Sequence, residues 1–232
     1  MSAAGPQLKS GARWELASRD PLQHLLHALN QPLTGLQCSL ELATARPRRP
    51  DQYIQTLREG LALTSRMRDL VNAMREIVDL QSRDRRETCS CHLDQLVRET
   101  AADLLPVAEE KKVRVCTQAD RPLPVMGDRA HLEALMFRLL ESAVSLAPEG
   151  SDLHITAVVE QGRARVDVSW DEQPLPESSP LSRVEMSLLI AETGWRQAGA
   201  EWLRSRIEGA QTCTIQMSLA PEPSTCKEER PK

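Results

Sequence analysis

The chain has 232 residues, 41% of them hydrophobic, which is material for roughly one or two ordinary cores and as many domains. Its net charge of −4 gives no electrostatic reason to expect nucleic acid as a partner. Six irregularly spaced cysteines in a chain this long indicate reduced thiols rather than a disulfide framework. No basic and apolar signal segment opens the sequence and no run of about 18 apolar residues occurs, so a cytoplasmic protein without membrane insertion is expected.

Residues 1–19 mix Gly, Ser, Pro and charge around Trp14 and read as a flexible leader. Asp20-Pro21 then supplies a helix cap and a first-turn proline. From there Leu22, Leu26, Leu29, Leu33, Leu36, Leu40 and Ala43 recur at alternating spacings of four and three, an a/d seam of about three heptads. Pro47 and Pro50, with Arg46, Arg48 and Arg49 around them, must interrupt the helix.

A second amphipathic run places Leu57, Leu61, Thr64, Met67, Val71, Met74 and Val78 near one face, so residues 20–80 form an antiparallel helical hairpin. One hairpin cannot cover both its apolar faces. Two copies pairing through the Leu22–Leu40 heptad face into a four-helix bundle is the expected solution.

Residues 81–88, with Arg83, Arg85 and Arg86, read as a linker, and the pattern beyond it is mixed α and β. His92–Glu110 looks helical, Val113–Thr117 alternates like a strand, and Arg121–Pro124 makes a connection. Asp128 caps a helix that Pro148-Glu149-Gly150 ends. Leu153–Val159 and Ala164–Trp170 alternate as strands about Gln161-Gly162, followed by a helix near Leu181–Glu192 and a strand near Thr212–Leu219. The resulting fold class is α + α/β, a hairpin followed by a two-layer α/β sandwich over 89–220, with a polar, disordered tail at 221–232. Cys89-Ser90-Cys91-His92 resembles half of a zinc site, but no second ligand pair of suitable spacing follows, so no metal is assigned.

The segment Leu26–Thr34, L-H-A-L-N-Q-P-L-T, resembles the phosphoacceptor box of bacterial sensor histidine kinases, roughly H-E-L-N/R-Q/T-P-L. The resemblance places His27 in the phosphorylated position and Gln31 where an amide or hydroxyl is linked to phosphatase activity. Gln31 is more readily read as an ordinary exposed helix residue. Neutral imidazole is nucleophilic near pH 7, and its phosphoramidate passes phosphate readily to a carboxylate. With Leu26 and Leu29 in the seam, His27 lies outside it, where His24, Gln31, Thr34 and Cys38 stand at helical spacings from it.

Downstream, Val125-Met126-Gly127-Asp128, Leu139–Val144 and Ala147-Pro148-Glu149-Gly150 are similar to the V-x-G-D, L-L-D-N-A-I and T-P-E-G segments of the same family's ATP-binding domain, a fold shared with gyrase and heat-shock ATPases. The chemistry that this framework implies is missing. The magnesium asparagine falls on Arg138, which has no oxygen to offer a hard cation, and the second asparagine falls on Ser142. The adenine-reading aspartate has become Trp170, and the two glycines after it have become Glu172 and Pro174. Asp171, one residue on, points to the other face of its strand. The phosphate-cradling G-L-G-L aligns with Val184–Ser187, where Val184, Glu185 and Met186 deny backbone amides a close approach to phosphate. Ala28 also replaces the acid that usually follows the histidine.

Neither ATP nor Mg²⁺ is therefore expected as a cofactor. The resemblance implies a two-component signalling protein that does not autophosphorylate and relays phosphate through His27 to or from response-regulator receiver domains. The alternatives are a non-catalytic pseudokinase adaptor that binds a sensor kinase or regulator, and an active sensor histidine kinase with an atypical ATP site.

Overall fold

A computed structural model describes residues 20–82, 88–119, 121–171, 181–207 and 209–221. The leader over 1–19, most of the linker with Arg83, Arg85 and Arg86, Glu172 and Pro174, and the tail from 222 onward lie outside them. The first helix, α1 (Pro21–Ala45), starts at Asp20, whose side chain accepts the Leu22 N–H at 3.0 Å. It continues through Pro32, and the Thr34 hydroxyl donates to the Asn30 carbonyl at 2.9 Å. The turn through the two-proline segment leads into α2 (Pro50–Ser82).

Packing within the hairpin uses faces rotated by about one residue from the sequence-predicted ones. On α1 the buried residues are Leu25, Ala28, Pro32 and Ala43; on α2 they are Leu70, Ala73, Ile77 and Leu80. Leu26, Leu33 and Leu40 of the seam stay exposed, as do Leu57 and Leu61, while Leu22, Leu29 and Leu36 are half-buried. The heptad seam thus splits in one chain, half turned toward α2 and half left open.

The second region begins with a short strand absent from the sequence reading, β1 (Cys89–His92), before α3 (Leu93–Glu110). Next come β2 (Arg114–Ala119) and β3 (Pro124–Gly127), and β3 pairs antiparallel with β1. These two strands are too short for a two-residue alternation to show in sequence. Buried Asp94 in the first turn of α3 accepts the Leu123 N–H at 2.8 Å, which anchors the connection that leads into β3.

Helix α4 (Arg129–Leu146) is capped as expected, with the Asp128 carboxylate accepting the His131 N–H at 3.2 Å. Strands β4 (Asp152–Glu160) and β5 (Arg163–Asp171) form a hairpin whose turn residues Gln161 and Gly162 have φ of 51° and 75°. Such left-handed pairs match the right-handed strand twist. Helix α5 (Arg183–Gln197) opens with a capping box between Ser182 and Glu185. Two antiparallel strands close the region: β6 (Glu201–Ile207), unforeseen in the sequence, and β7 (Ala210–Ser218).

The main sheet has the order β2-β4-β5-β7-β6, with β2 and β4 parallel and the remaining pairs antiparallel. Its inner face, with Leu153, Ile155, Val166, Val168, Trp170 and Ile215, packs on α3, α4 and α5 through Leu96, Met136, Leu140, Leu188 and Trp195. The outer residues of β5 alternate with these and are half-buried. A second, separate apolar cluster joins Leu25, Ala28, Leu70, Ala73, Ile77 and Leu80 of the hairpin to Met186 and Ile190 of α5. Among the described residues no helix is long and apolar enough to cross a membrane.

Candidate functional site

His27 and Gln31 are both exposed and stand one helical turn apart on α1. Thr34 and Cys38 continue the exposed face, and His24 is half-buried. Pro32 between them is buried, so it contributes packing while its neighbours stay open to solvent. Ala28 follows His27 by one residue, yet only 6% of its surface is exposed, because it lies in the apolar cluster with Met186 and Ile190. A carboxylate at that position would be desolvated in that cluster.

Of the described residues at the nucleotide positions, Trp170, Ser142 and Met186 are buried and Arg138 and Val184 half-buried. Trp170 is 1% exposed and belongs to the sandwich core, paired across the sheet with Leu153 and Gln211. Its indole N–H, like those of Trp195 and Trp202, has no acceptor among the described residues. Ser142 is buried on α4, whereas Arg138 is half-buried and its guanidinium pairs with Glu76 of α2. Val184 is half-buried and Met186 buried, both within the first turns of α5, where the latter faces the hairpin. Glu172 and Pro174 fall outside the described residues.

A groove of about 350 Å³ lies at the ends of β4 and β5, lined by Arg114, Asp152, His154, Ser169, Trp170 and Asp171 among others. Arg138, Ser142, Val184 and Met186 take no part in it. Two of its charges pair: Arg114 donates to Asp152 from Nε at 2.8 Å and from Nη2 at 2.6 Å. The same guanidinium holds the Asp152 carboxyl below the ordinary carboxylate range.

The cysteines divide by environment. Cys38 and Cys89 are exposed, whereas Cys91 and Cys213 are buried. Burial pushes the Cys213 thiol up to about 12, and burial, with Cys89 adding to it, raises Cys91. The Cys91 thiol donates to the Val125 carbonyl at 3.7 Å across the β1–β3 pair. Among the described residues no group of three or more His, Cys, Asp or Glu is placed to hold a metal ion.

Four contributors that the sequence reading missed are Arg66, Asp69, Glu76 and Arg183. Arg66 donates to the Leu181 carbonyl at 3.3 Å, and Arg183 pairs with Asp69 at 2.8 Å. Their signal is the spacing of Arg66, Asp69, Ala73, Glu76 and Leu80, which puts charge and apolar surface on one face of α2.

The sensor-like histidine kinase SenX3 of Mycolicibacterium smegmatis is 23% identical to this chain over 159 residues, which are 68% of this chain and 41% of that protein. The alginate biosynthesis sensor protein KinB of Pseudomonas aeruginosa is 28% identical over 159 residues, 66% of this chain and 26% of that protein. The chain therefore spans less than half the length of these relatives. No protein-family model matches it. Among solved structures, the histidine kinase ThkA in complex with the response regulator protein TrrA superposes with a TM-score of 0.59 at 17% identity, covering 86% of this chain and 61% of that one. In sequence and in fold the chain is histidine-kinase-like, a helical hairpin carrying His27 joined to a two-layer α/β sandwich of the histidine-kinase ATPase type.

Proposed function

We propose that this protein exchanges phosphoryl groups between His27 and the aspartates of response-regulator receiver domains, without phosphorylating itself from ATP. The observation that carries the reading is the contrast between two neighbourhoods. His27 is open on α1, whereas Trp170 is built into the core and Arg138 is paired with Glu76. A buried indole and an engaged guanidinium offer neither an adenine acceptor nor a ligand for Mg²⁺.

In the reaction, a neutral His27 nitrogen attacks the phosphorus of the partner's acyl phosphate. The N–P bond forms as the P–O bond to the aspartate breaks, the carboxylate leaves, and the imidazole N–H proton passes to solvent. The receiver brings the phosphoryl group and its own Mg²⁺, so this chain supplies only a placed nucleophile. In this reading Gln31, exposed one turn away, orients a hydrolytic water.

Receiver proteins from the same genome, phosphorylated with labelled acetyl phosphate, test the reading. Label is expected on the wild-type chain and not on His27→Ala, a loss of at least about a hundredfold for removal of a nucleophile. Absence of transfer from every receiver would sink it. A second reading, a pseudokinase adaptor that binds a sensor kinase or regulator without carrying phosphate, draws on the open apolar residues Leu57 and Leu61, 63% and 71% exposed. It predicts an unimpaired His27→Ala variant in signalling assays.

A further inference from the structure

Cys89 and Cys91 stand two residues apart on β1, so strand alternation sends both side chains to one face. The Cys89 thiol donates to the Gly127 carbonyl at 3.5 Å and the Cys91 thiol to the Val125 carbonyl at 3.7 Å, following the antiparallel register Cys89↔Gly127 and Cys91↔Val125. Their cover differs because the residues opposite them differ. Gly127 offers no side chain over Cys89, which stays exposed, whereas buried Val125 stands across from Cys91, which is 4% exposed. The Cys89 thiol lies within electrostatic reach of Cys91, as do Arg129 and Asp128, which are of opposite sign.

The spacing selects among thiol chemistries. Residues two apart on a strand are about 6.8 Å apart at Cα, the far end of the disulfide range, and a disulfide also requires the Cβ atoms to close to about 4 Å. A structural zinc site requires four ligands, and His92 turns to the other face of the strand, where its Nδ1 lies 3.9 Å from Asp94. Two thiolates on opposite sides of one soft cation, at metal–sulfur distances of about 2.3 Å, stand about 4.6 Å apart. Side chains on one strand face reach that separation by χ1 rotation.

The geometry points to Cys89 and Cys91 as a two-coordinate site for a soft monovalent cation, the cuprous ion, for which thiolate is the preferred ligand. Two S–H bonds break, both protons pass to solvent and two copper–sulfur bonds form, with copper remaining monovalent. The metal takes the place of the two weak S–H donations to β3. Cys89 receives the ion from solvent, and Cys91 holds it at the margin of the sandwich core to which that residue belongs. The site is independent of the proposed phosphoryl exchange.

The full chain carrying Cys38→Ser and Cys226→Ser, titrated anaerobically with cuprous ion against a chromophoric cuprous chelator, tests the site. One ion per chain is expected, with X-ray absorption showing two sulfur neighbours and no nitrogen. Cys89→Ser, at an exposed position, and Cys91→Val, which keeps an apolar side chain in the core, should each weaken binding by at least about a hundredfold, the loss for removing one arm of a chelate. Circular dichroism checks that both fold, and Cys89→Ser decides alone if Cys91→Val does not. Failure to compete with the chelator, undiminished binding in Cys89→Ser, one ion shared by two chains, or a nitrogen neighbour overturns the site. Zinc bound as tightly as cuprous ion overturns its assignment to a soft cation.

Discussion

His27 and Ala28 are adjacent in sequence and lie on opposite sides of a boundary, one in solvent and the other in the apolar cluster that α1, α2 and α5 share. That single step, about 100° around a helix, separates an available nucleophile from a packing residue. Trp170 illustrates the same principle on a strand, since alternation sends its ring inward and turns Asp171 outward. Trp170→Asp is expected to cost at least about 3–5 kcal/mol, the range for losing a large buried aromatic, with a desolvated charge added. Denaturant unfolding reads the cost, and a melting temperature unmoved by millimolar ATP with Mg²⁺ is expected for wild type and variant alike. Cys213 gives a pH signature. Burial pushes its folded thiol up to about 12, above the ordinary thiol range, so the unfolded chain releases this proton first. Its contribution to stability is complete below about pH 9 and falls as pH rises from there towards 12, the window in which Cys213→Ser should flatten the stability curve. In native alkylation Cys38 should react well before Cys213.

At the scale of elements, α1 serves two neighbours at once. Leu25, Ala28 and Pro32 turn inward, while Leu26, Leu33 and Leu40 remain open alongside Leu57 and Leu61 of α2. Large apolar side chains left on one hairpin fit pairing with a second copy, the assembly expected from the Leu22–Leu40 heptad face. Leu57→Lys combined with Leu61→Lys is therefore expected to convert a dimer into a monomer in sedimentation or light scattering, with the far-ultraviolet helix signal retained. Helix α5 follows another logic. Gly194 lies so close to α4 that a Cβ there would come within 2.3 Å of Leu135 Cδ2, so this helix is held tightly to the sandwich by one face and to the hairpin by the other.

Across the whole molecule, the two apolar clusters share α5, because Leu188 and Trp195 belong to the sandwich core and Met186 and Ile190 to the hairpin contact. A helix that cannot leave one cluster without exposing the other couples the two regions. Heat unfolding of the full chain is expected as one transition with equal calorimetric and van't Hoff enthalpies, and two resolved transitions would contradict that coupling.

By itself the sequence determined the hairpin, helices α3, α4 and α5 and strands β2, β4, β5 and β7 in their order, because heptad spacing, the caps at Asp20 and Asp128, the paired prolines and the strand alternation are local patterns written in residue types. It also singled out His27 through the residues around it, but its exposure was decided by the face that α1 buries, since Leu26 of the seam is open and Leu25 beside the seam is buried. It concealed β1, β3 and β6. The first two have four residues each and β6 seven, and four-residue strands show too little alternation, while an edge strand such as β6 is defined by its partner. The face that α2 buries was equally hidden, since its sequence carries two apolar stripes one residue apart and only the arrival of α5 selects Leu70, Ala73 and Ile77. Arg138 shows the division most directly. Its lack of oxygen was evident from its identity, but its pairing with Glu76, 62 positions earlier, was decided by tertiary structure, because only the docking of α4 on the hairpin brings the two charges together.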